Sequence, residues 1–463
     1  MNILQKIIEY KKKEIKKLPK IENQGLKTRN FFKAITENEN KISLIAEIKK
    51  FSPSTSQIIK QKDFSIKTWA QDFEKAQVSA ISILTDKKFF GGDFSFLTLA
   101  KKATQKVPLL AKDFFISSEQ VELAKNAGAD CILLIAKILK VEQIKTLYKL
   151  AQSKKIDCLL EIADNEDLQK ALKTDCRLIG INNRSLQNFH INIANTFCLA
   201  KKIPLDRKII SMSGFQSNEI KIIQNIAQGV LIGTAISGSK NPFKKIKEVL
   251  SNKPLIKICG LRTSEVAQFC ENKKINFCGL NFVPHSKRKV SLKEALKLRK
   301  DFSKTKVVGV FQDQSVEFIN HYAQELDLNF VQLHGTENYN FCCQIKKPII
   351  KAVAVNCYLD LLRAEKLKDV CDLFLFDNKV GGSGKNFDHQ LLIDFLNHKD
   401  FKNPFFIAGG INQQNAAKLC NIFAYFPNFL GIDLASGVES KGEIKVKKIA
   451  TIADIFAKNK DEK

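Results

Sequence analysis

The stretch Leu255-Ile256-Lys257-Ile258-Cys259-Gly260-Leu261-Arg262 decides how the chain is read. It is a short buried-strand pattern that ends in a thiol and a glycine. A parallel strand covered on both faces reads as a continuous apolar run. This one is interrupted at its C-terminal end by Cys259, the place where a barrel strand presents its chemistry. Before it lies a run of alternating strand and helix patterns, and after it the same grammar starts again.

Working forward from Leu255, strands are expected at 255–260, 277–283, 306–311, 330–334, 348–355, 373–377, 405–409 and 429–434, with helical periods between them, among them 291–299, 316–325, 388–396 and 413–420. Working back, strands are expected at 43–50, 79–85, 108–112, 131–136, 157–162, 178–182, 208–213 and 229–233, with helices at 66–77, 117–127, 141–152 and 217–227 among others. Eight strands alternating with helices is the count of a (β/α)8 barrel. An open doubly wound sheet is the rival, but no GxGxxG turn follows the first strand. The expected fold is therefore α/β, two tandem (β/α)8 TIM barrels over residues 1–252 and 255–463, the first with an N-terminal helical extension over residues 1–40.

A chain of 463 residues is long for a single core. No apolar run reaches the roughly 18–20 residues of a membrane span, and the charged, amphipathic N-terminus is not a signal peptide, so a cytoplasmic protein is expected. Twelve cysteines lie at irregular intervals without CxxC pairs or zinc spacing. They read as buried hydrophobes in a reducing compartment, Cys259 excepted. The net charge of +27 is nearly all lysine and is spread along the chain. Clustered lysine would point to nucleic acid; a spread field suits small anionic phosphorylated substrates, with no nucleic-acid or membrane partner.

In such barrels the C-terminal strand ends carry the chemistry. In the first half they offer Glu47 and Lys49 on one face of a strand, Lys112, Glu161, and Asn182 with Arg184. Two lysines and two glutamates meeting at one mouth would shift each other's pKa values, as acid–base catalysis requires. Ser213-Gly214 and Gly233-Thr234 follow strands seven and eight, where a phosphate cradle forms, and Ser52 adds a hydroxyl. In the second half the ends offer Cys259, Arg288, His334 and Asp377. The phosphate-type turns there are Gly382-Ser383-Gly384, Gly409-Gly410 and Ser436-Gly437. Cys259 as base and Asp377 as acid need no metal and no cofactor. His334 has no second histidine at ligand spacing and reads as a hydrogen-bonding or packing residue.

The first half resembles indole-3-glycerol-phosphate synthase. The resemblance rests on Glu47-x-Lys49 with Ser52-Pro53-Ser54, Phe89-Phe90-Gly91-Gly92, Leu110 to Phe114, Gly180 to Arg184 and Ile232-Gly233. It implies closure of a pyrrole ring on carboxyphenylamino-deoxyribulose 5-phosphate with loss of carbon dioxide and water. Lys112 is then the general acid, Glu161, Glu47 and Lys49 share the later proton transfers with the dehydration base left open, and Asn182 and Arg184 orient the substrate. Ser52, Ser213, Gly214, Gly233 and Thr234 would hold phosphate. One position departs from the family pattern. Where the family writes Ser-Glu-Ser-Gly after strand seven, this chain has Met212, and a slower synthase is expected.

The second half resembles phosphoribosylanthranilate isomerase, through Lys257 to Gly260, Pro284 to Arg288, Val331 to Gly335, Asp377 with Gly381 to Gly384, Ala408 to Gly410 and Ser436 to Ser440. It implies an Amadori rearrangement in which Asp377 protonates the ribose ring oxygen, Cys259 takes the C2′ proton and Arg288 contacts the anthranilate. The second barrel's product would be the first barrel's substrate. The expectation is a bifunctional, monomeric tryptophan-biosynthesis enzyme. The rivals are the same fold with an impaired synthase half, and a basic nucleic-acid-binding protein.

Overall fold

Sixteen parallel strands account for the catalytic architecture, and each is apolar because both of its faces are covered. The computed structural model describes residues 3–457 apart from 20, 39–41, 53–55, 58–63, 186–189 and 378–388. The chain divides into two compact units, Met1–Ser251 and Asn252–Lys463.

In the first unit, β1 Ser43–Ile48, β2 Ala80–Leu84, β3 Leu109–Lys112, β4 Cys131–Ile135, β5 Asp157–Ile162, β6 Leu178–Asn182, β7 Lys208–Met212 and β8 Gly229–Ile232 pair in chain order. The barrel closes where Leu44 meets Val230. Its interior packs Ile45, Leu110, Leu133, Leu159, Leu178, Ile210 and Leu231, each such burial worth about 1.5–3 kcal/mol.

In the second unit, β9 Leu255–Cys259, β10 Phe277–Asn281, β11 Lys306–Phe311, β12 Phe330–Leu333, β13 Ile349–Ala354, β14 Leu373–Asp377, β15 Phe405–Ile407 and β16 Phe429–Leu434 close in the same way. Phe277 packs on Phe330 and Phe406 at centroid distances of 5.8 and 5.3 Å, an apolar floor low in the barrel.

Two expectations are corrected. Residues 1–40 are not one helical extension: helices cover Ile3–Glu14 and Phe31–Thr36, with a short 3-10 turn at Ile15–Lys17, and residues 21–30 form no helix. Pro19 forces Leu18 into an extended conformation (ψ 138°) and ends the helical path. The segment is then tied down by Arg29, whose guanidinium donates to the carbonyls of Lys101, Thr104 and Val107 while its backbone N–H donates to Asp130. The second correction concerns 217–227, which forms only a 3-10 turn over Asn218–Ile223. Its asparagines and isoleucines are weak helix formers.

Candidate active sites

Strand register explains why the charged ends of the first barrel converge. In an eightfold barrel a layer takes one inward side chain from each alternate strand. Glu47 pairs with Ser82 and Ser82 with Leu110, two residues below Lys112. Glu161 pairs with Gly180 and Gly180 with Ile210, two residues below Met212. Met212 pairs with Leu231 and Leu231 with Ile45, two residues below Glu47. Glu47, Lys112, Glu161 and Met212 therefore share one inward layer.

Glu47 accepts from Lys49 at 3.0 Å and from the Ser82 hydroxyl at 3.5 Å. Lys112 lies 3.7 Å from Glu161, which also accepts from the Asn182 amide at 2.9 Å. Asn182 in turn accepts from the backbone N–H of Arg184 at 2.9 Å. Burial alone would raise the Glu47 pKa, but Lys49, Lys112 and Arg184 outweigh it and hold the carboxyl below its ordinary value. Burial lowers the Arg184 pKa, with Glu47 opposing. The structure thus brings Glu47, Lys49, Lys112, Glu161, Asn182 and Arg184 into one network.

The small-residue turns lie beside it. The helical turn Thr234–Ser237 clamps the end of β1, since the Ser237 hydroxyl donates to the Glu47 carbonyl at 2.6 Å and accepts from the Lys49 N–H at 3.1 Å. At Gly233 a Cβ would sit 2.2 Å from the Glu47 carboxylate, so this close approach requires glycine. Ser213 and Gly214 both take left-handed conformations, φ 68° and 93°. Ser52 belongs to a two-residue strand paired with Ser56–Gln57; its side chain lies outside the described residues.

Met212 is packed into the interior cluster with Leu159 and Ile210, and its sulfur covers Gly180, where a Cβ would lie 2.5 Å away. An apolar side chain fills the fourth corner of a layer whose other three members are charged.

A feature the sequence did not expose stands at the same mouth. Lys11 of the first helix is 1% exposed, its ammonium 2.6, 2.9 and 2.7 Å from Glu14, Asp86 and Asp113. Asp86 follows β2 and caps the turn Lys87–Phe90; Asp113 follows Lys112 and accepts from Thr85 at 2.7 Å. The N-terminal helix thereby holds the chain beside Lys112. Nothing in the spacing of these residues predicts the cluster.

In the second barrel Cys259 ends β9 facing inward, and Gly279 of β10 leaves space for its sulfur, since a Cβ there would approach Sγ to 3.0 Å. Burial pushes the thiol pKa up to about 11, against the pull of Lys257 and Arg288. The pocket favours the thiol, because desolvation is the larger effect.

Arg288 lies across Gly260 (φ 89°), where a Cβ would meet its Cδ at 2.3 Å. Its guanidinium forms a bidentate pair with Glu439 at 2.5 and 2.9 Å. Asp377 ends β14 with its carboxylate 4.0 Å from His334 Nε2. Burial, with Lys351 and Lys257 nearby, pushes the His334 pKa down to about 4, so at neutral pH this contact is not an ion pair. His334 Nδ1 lies 3.3 Å from the Gln332 amide. Gly409 and Gly410 take left-handed conformations, φ 85° and 64°, and Ser436–Val438 forms a 3-10 turn directly after β16. The expected Gly382, Ser383 and Gly384 lie outside the described residues.

Two closed barrels, each with acids and bases at the C-terminal strand ends beside small-residue turns, define a tandem pair of (β/α)8 acid–base enzymes. The comparisons with known proteins give the chemistry. Residues 4–249 match the indole-3-glycerol phosphate synthase family and residues 256–455 the N-(5'-phosphoribosyl)anthranilate isomerase family. Tryptophan biosynthesis protein TrpCF of Buchnera aphidicola subsp. Schlechtendalia chinensis is 35% identical over 96% of this chain and 95% of its own length. The protein of that name in Haemophilus influenzae is 35% identical over 90% and 87%, and that of Helicobacter pylori 33% over 97% and 99%. The chain belongs to this family of two-activity enzymes of tryptophan biosynthesis, with the carboxy-lyase barrel first and the isomerase barrel second.

Proposed function

We propose the following division of labour, with the seam between the barrels at residues 252–254. In the isomerase, Asp377 protonates the ribose ring oxygen of phosphoribosylanthranilate, and Cys259 takes the C2′ proton of the iminium that results. Arg288 faces the anthranilate, and the turns at Gly409-Gly410 and Ser436-Gly437, with Gly382 to Gly384, hold the phosphate. His334, neutral and next to Asp377, orients that acid. In the synthase, Lys112 protonates the ribulose carbonyl as the aromatic carbon attacks, Glu161 and Glu47 with Lys49 move the protons of dehydration, and Asn182 and Arg184 place the substrate. Ser52, Ser213, Gly214, Gly233 and Thr234 cradle its phosphate. The observation that carries the synthase half is the shared layer of Glu47, Lys112 and Glu161, which sets an ammonium between two carboxylates at one mouth. The protein acts as a cytoplasmic monomer on anionic phosphorylated substrates.

A single-pot assay tests this. Phosphoribosylanthranilate is supplied and the loss of its fluorescence is followed alongside the rise of indole absorbance. Loss followed by indole is the expected result. Loss with accumulation of the ribulose intermediate would restrict the activity to the isomerase, a reading favoured by the apolar packing of Met212.

A further inference from the structure

Lys257 is out of place in its layer. Following the register around the barrel, the inward residues at its level are Val308, Ile350 and Phe406, all apolar and buried. Lys257 itself has no exposed surface, and its ammonium lies 3.0 Å from Asp433 of β16, its direct strand partner. Removing two charges from water is costly, and an apolar pair of similar volume is commonly as stable or more so. Packing alone therefore gives no reason for this pair.

Its position does. Lys257 and Cys259 are two residues apart on β9 and point to the same side, so the ammonium lies just beneath the thiol. Burial disfavours the thiolate and the Asp433 charge adds to this; Lys257 is the first of the groups that oppose it, ahead of Arg288. Arg288 is engaged by Glu439. Gln332, level with Asp433, keeps a buried side-chain oxygen without a hydrogen-bond partner, so the level under the working residues is polar on two sides.

We infer that Lys257, held by Asp433, is a positioning residue of the isomerase: it supplies the buried positive charge beneath Cys259 that lets the thiolate form above an otherwise apolar layer. This rests on Cys259 being the base. The proton leaves C2′ for the sulfur, which turns neutral, and Lys257 keeps its charge throughout. Asp433 serves by keeping the ammonium protonated and fixed below the sulfur, rather than by touching substrate.

The test uses the full chain with three variants: Lys257→Met, the double variant Lys257→Met/Asp433→Leu, and Cys259→Ser. The double variant removes both charges and restores an apolar layer, so it folds even where the single variant does not. Alkylation of Cys259 by iodoacetamide is followed against pH by peptide mass mapping, with isomerase kcat and KM measured alongside. Circular dichroism and the thermal transition of each variant, compared with the unaltered chain, report folding of the isomerase barrel. Expected for Lys257→Met are an alkylation midpoint at least about one pH unit higher, kcat at pH 7 lower by about tenfold or more with KM little changed, and partial recovery of kcat as pH rises; the double variant, which also loses the Asp433 charge that disfavours the thiolate, shows a smaller shift in the same direction. A double variant with an unshifted midpoint and full isomerase rate would overturn the inference. An active Cys259→Ser variant would instead overturn the assignment of the base, whatever the midpoint does.

Discussion

In the first barrel the charged side chains pair with each other at the mouth formed by the C-terminal strand ends: Glu47 with Lys49, and Lys112 with Glu161. In the second barrel the ion pair Lys257–Asp433 lies below Cys259, whose burial favours the uncharged thiol. The chemistry accounts for the difference. Ring closure with decarboxylation and dehydration moves several protons, and a network of exchanging acids and bases at one level serves it. An Amadori rearrangement needs one acid and one base, and a single base is tuned more simply from underneath. The turns after strand seven, by contrast, are alike: two successive left-handed residues, Ser213-Gly214 in one barrel and Gly409-Gly410 in the other.

The sharpest way to break the comparison is to silence one barrel at a time. Lys112→Ala is expected to lower synthase turnover by about 10²–10⁴-fold and leave isomerase turnover unchanged, while Cys259→Ala does the reverse. Each half is assayed with its own substrate, and a loss that crosses over would show that the two sites are not separately assembled. A smaller effect is expected from Met212→Glu, which restores a fully charged layer in the first barrel. Synthase kcat should rise about tenfold, while enclosure of a carboxylate among Leu159 and Ile210 costs about 1–3 kcal/mol of stability. An unchanged rate would remove Met212 as the cause of any weakness in the synthase.

The second barrel also carries a pH signature. His334 has a folded pKa of about 4, below its ordinary 6.5, so folding favours the neutral ring. Its contribution to stability is full above pH 6.5 and is lost as pH falls from there through 4. Allowing for the exposed third of the ring, His334→Asn should narrow the acid-side drop in Tm by about 2–4 °C, read by thermal scans between pH 7 and 4. The smallest effect concerns the shared turn. Ser213→Gly relieves a left-handed serine and should change stability by no more than about 1 kcal/mol, while KM for the phosphorylated substrate rises if the hydroxyl holds phosphate.

The strands were legible because a covered parallel strand is a short apolar run between polar ends: 157–162, 178–182, 306–311, 373–377 and 429–434 match the structure to the residue. The convergence of Glu47, Lys112 and Glu161 was legible for the same reason, since strand ends in one register meet at one mouth. What escaped the sequence depends on contacts between distant segments. Arg29 ties an unhelical segment to Thr104 and Val107, and Lys257 faces Asp433 across the seam where the barrel closes. Each of these charges was visible as an interruption, but its partner was not. The Arg288–Glu439 pair escaped likewise, because Arg288 was read for the anthranilate and Glu439 only as part of the turn 436–440.

The buried Lys11 bears on how the chain is made. The helix that carries it precedes in the chain the carboxylates of Asp86 and Asp113 that neutralise it, which follow strands β2 and β3. Burial of the Lys11 ammonium needs those strand ends in place, so docking of the helix is a closing step of the barrel. A bulky fusion at the amino terminus would strain that closing step and leave two acids unpaired beside Lys112.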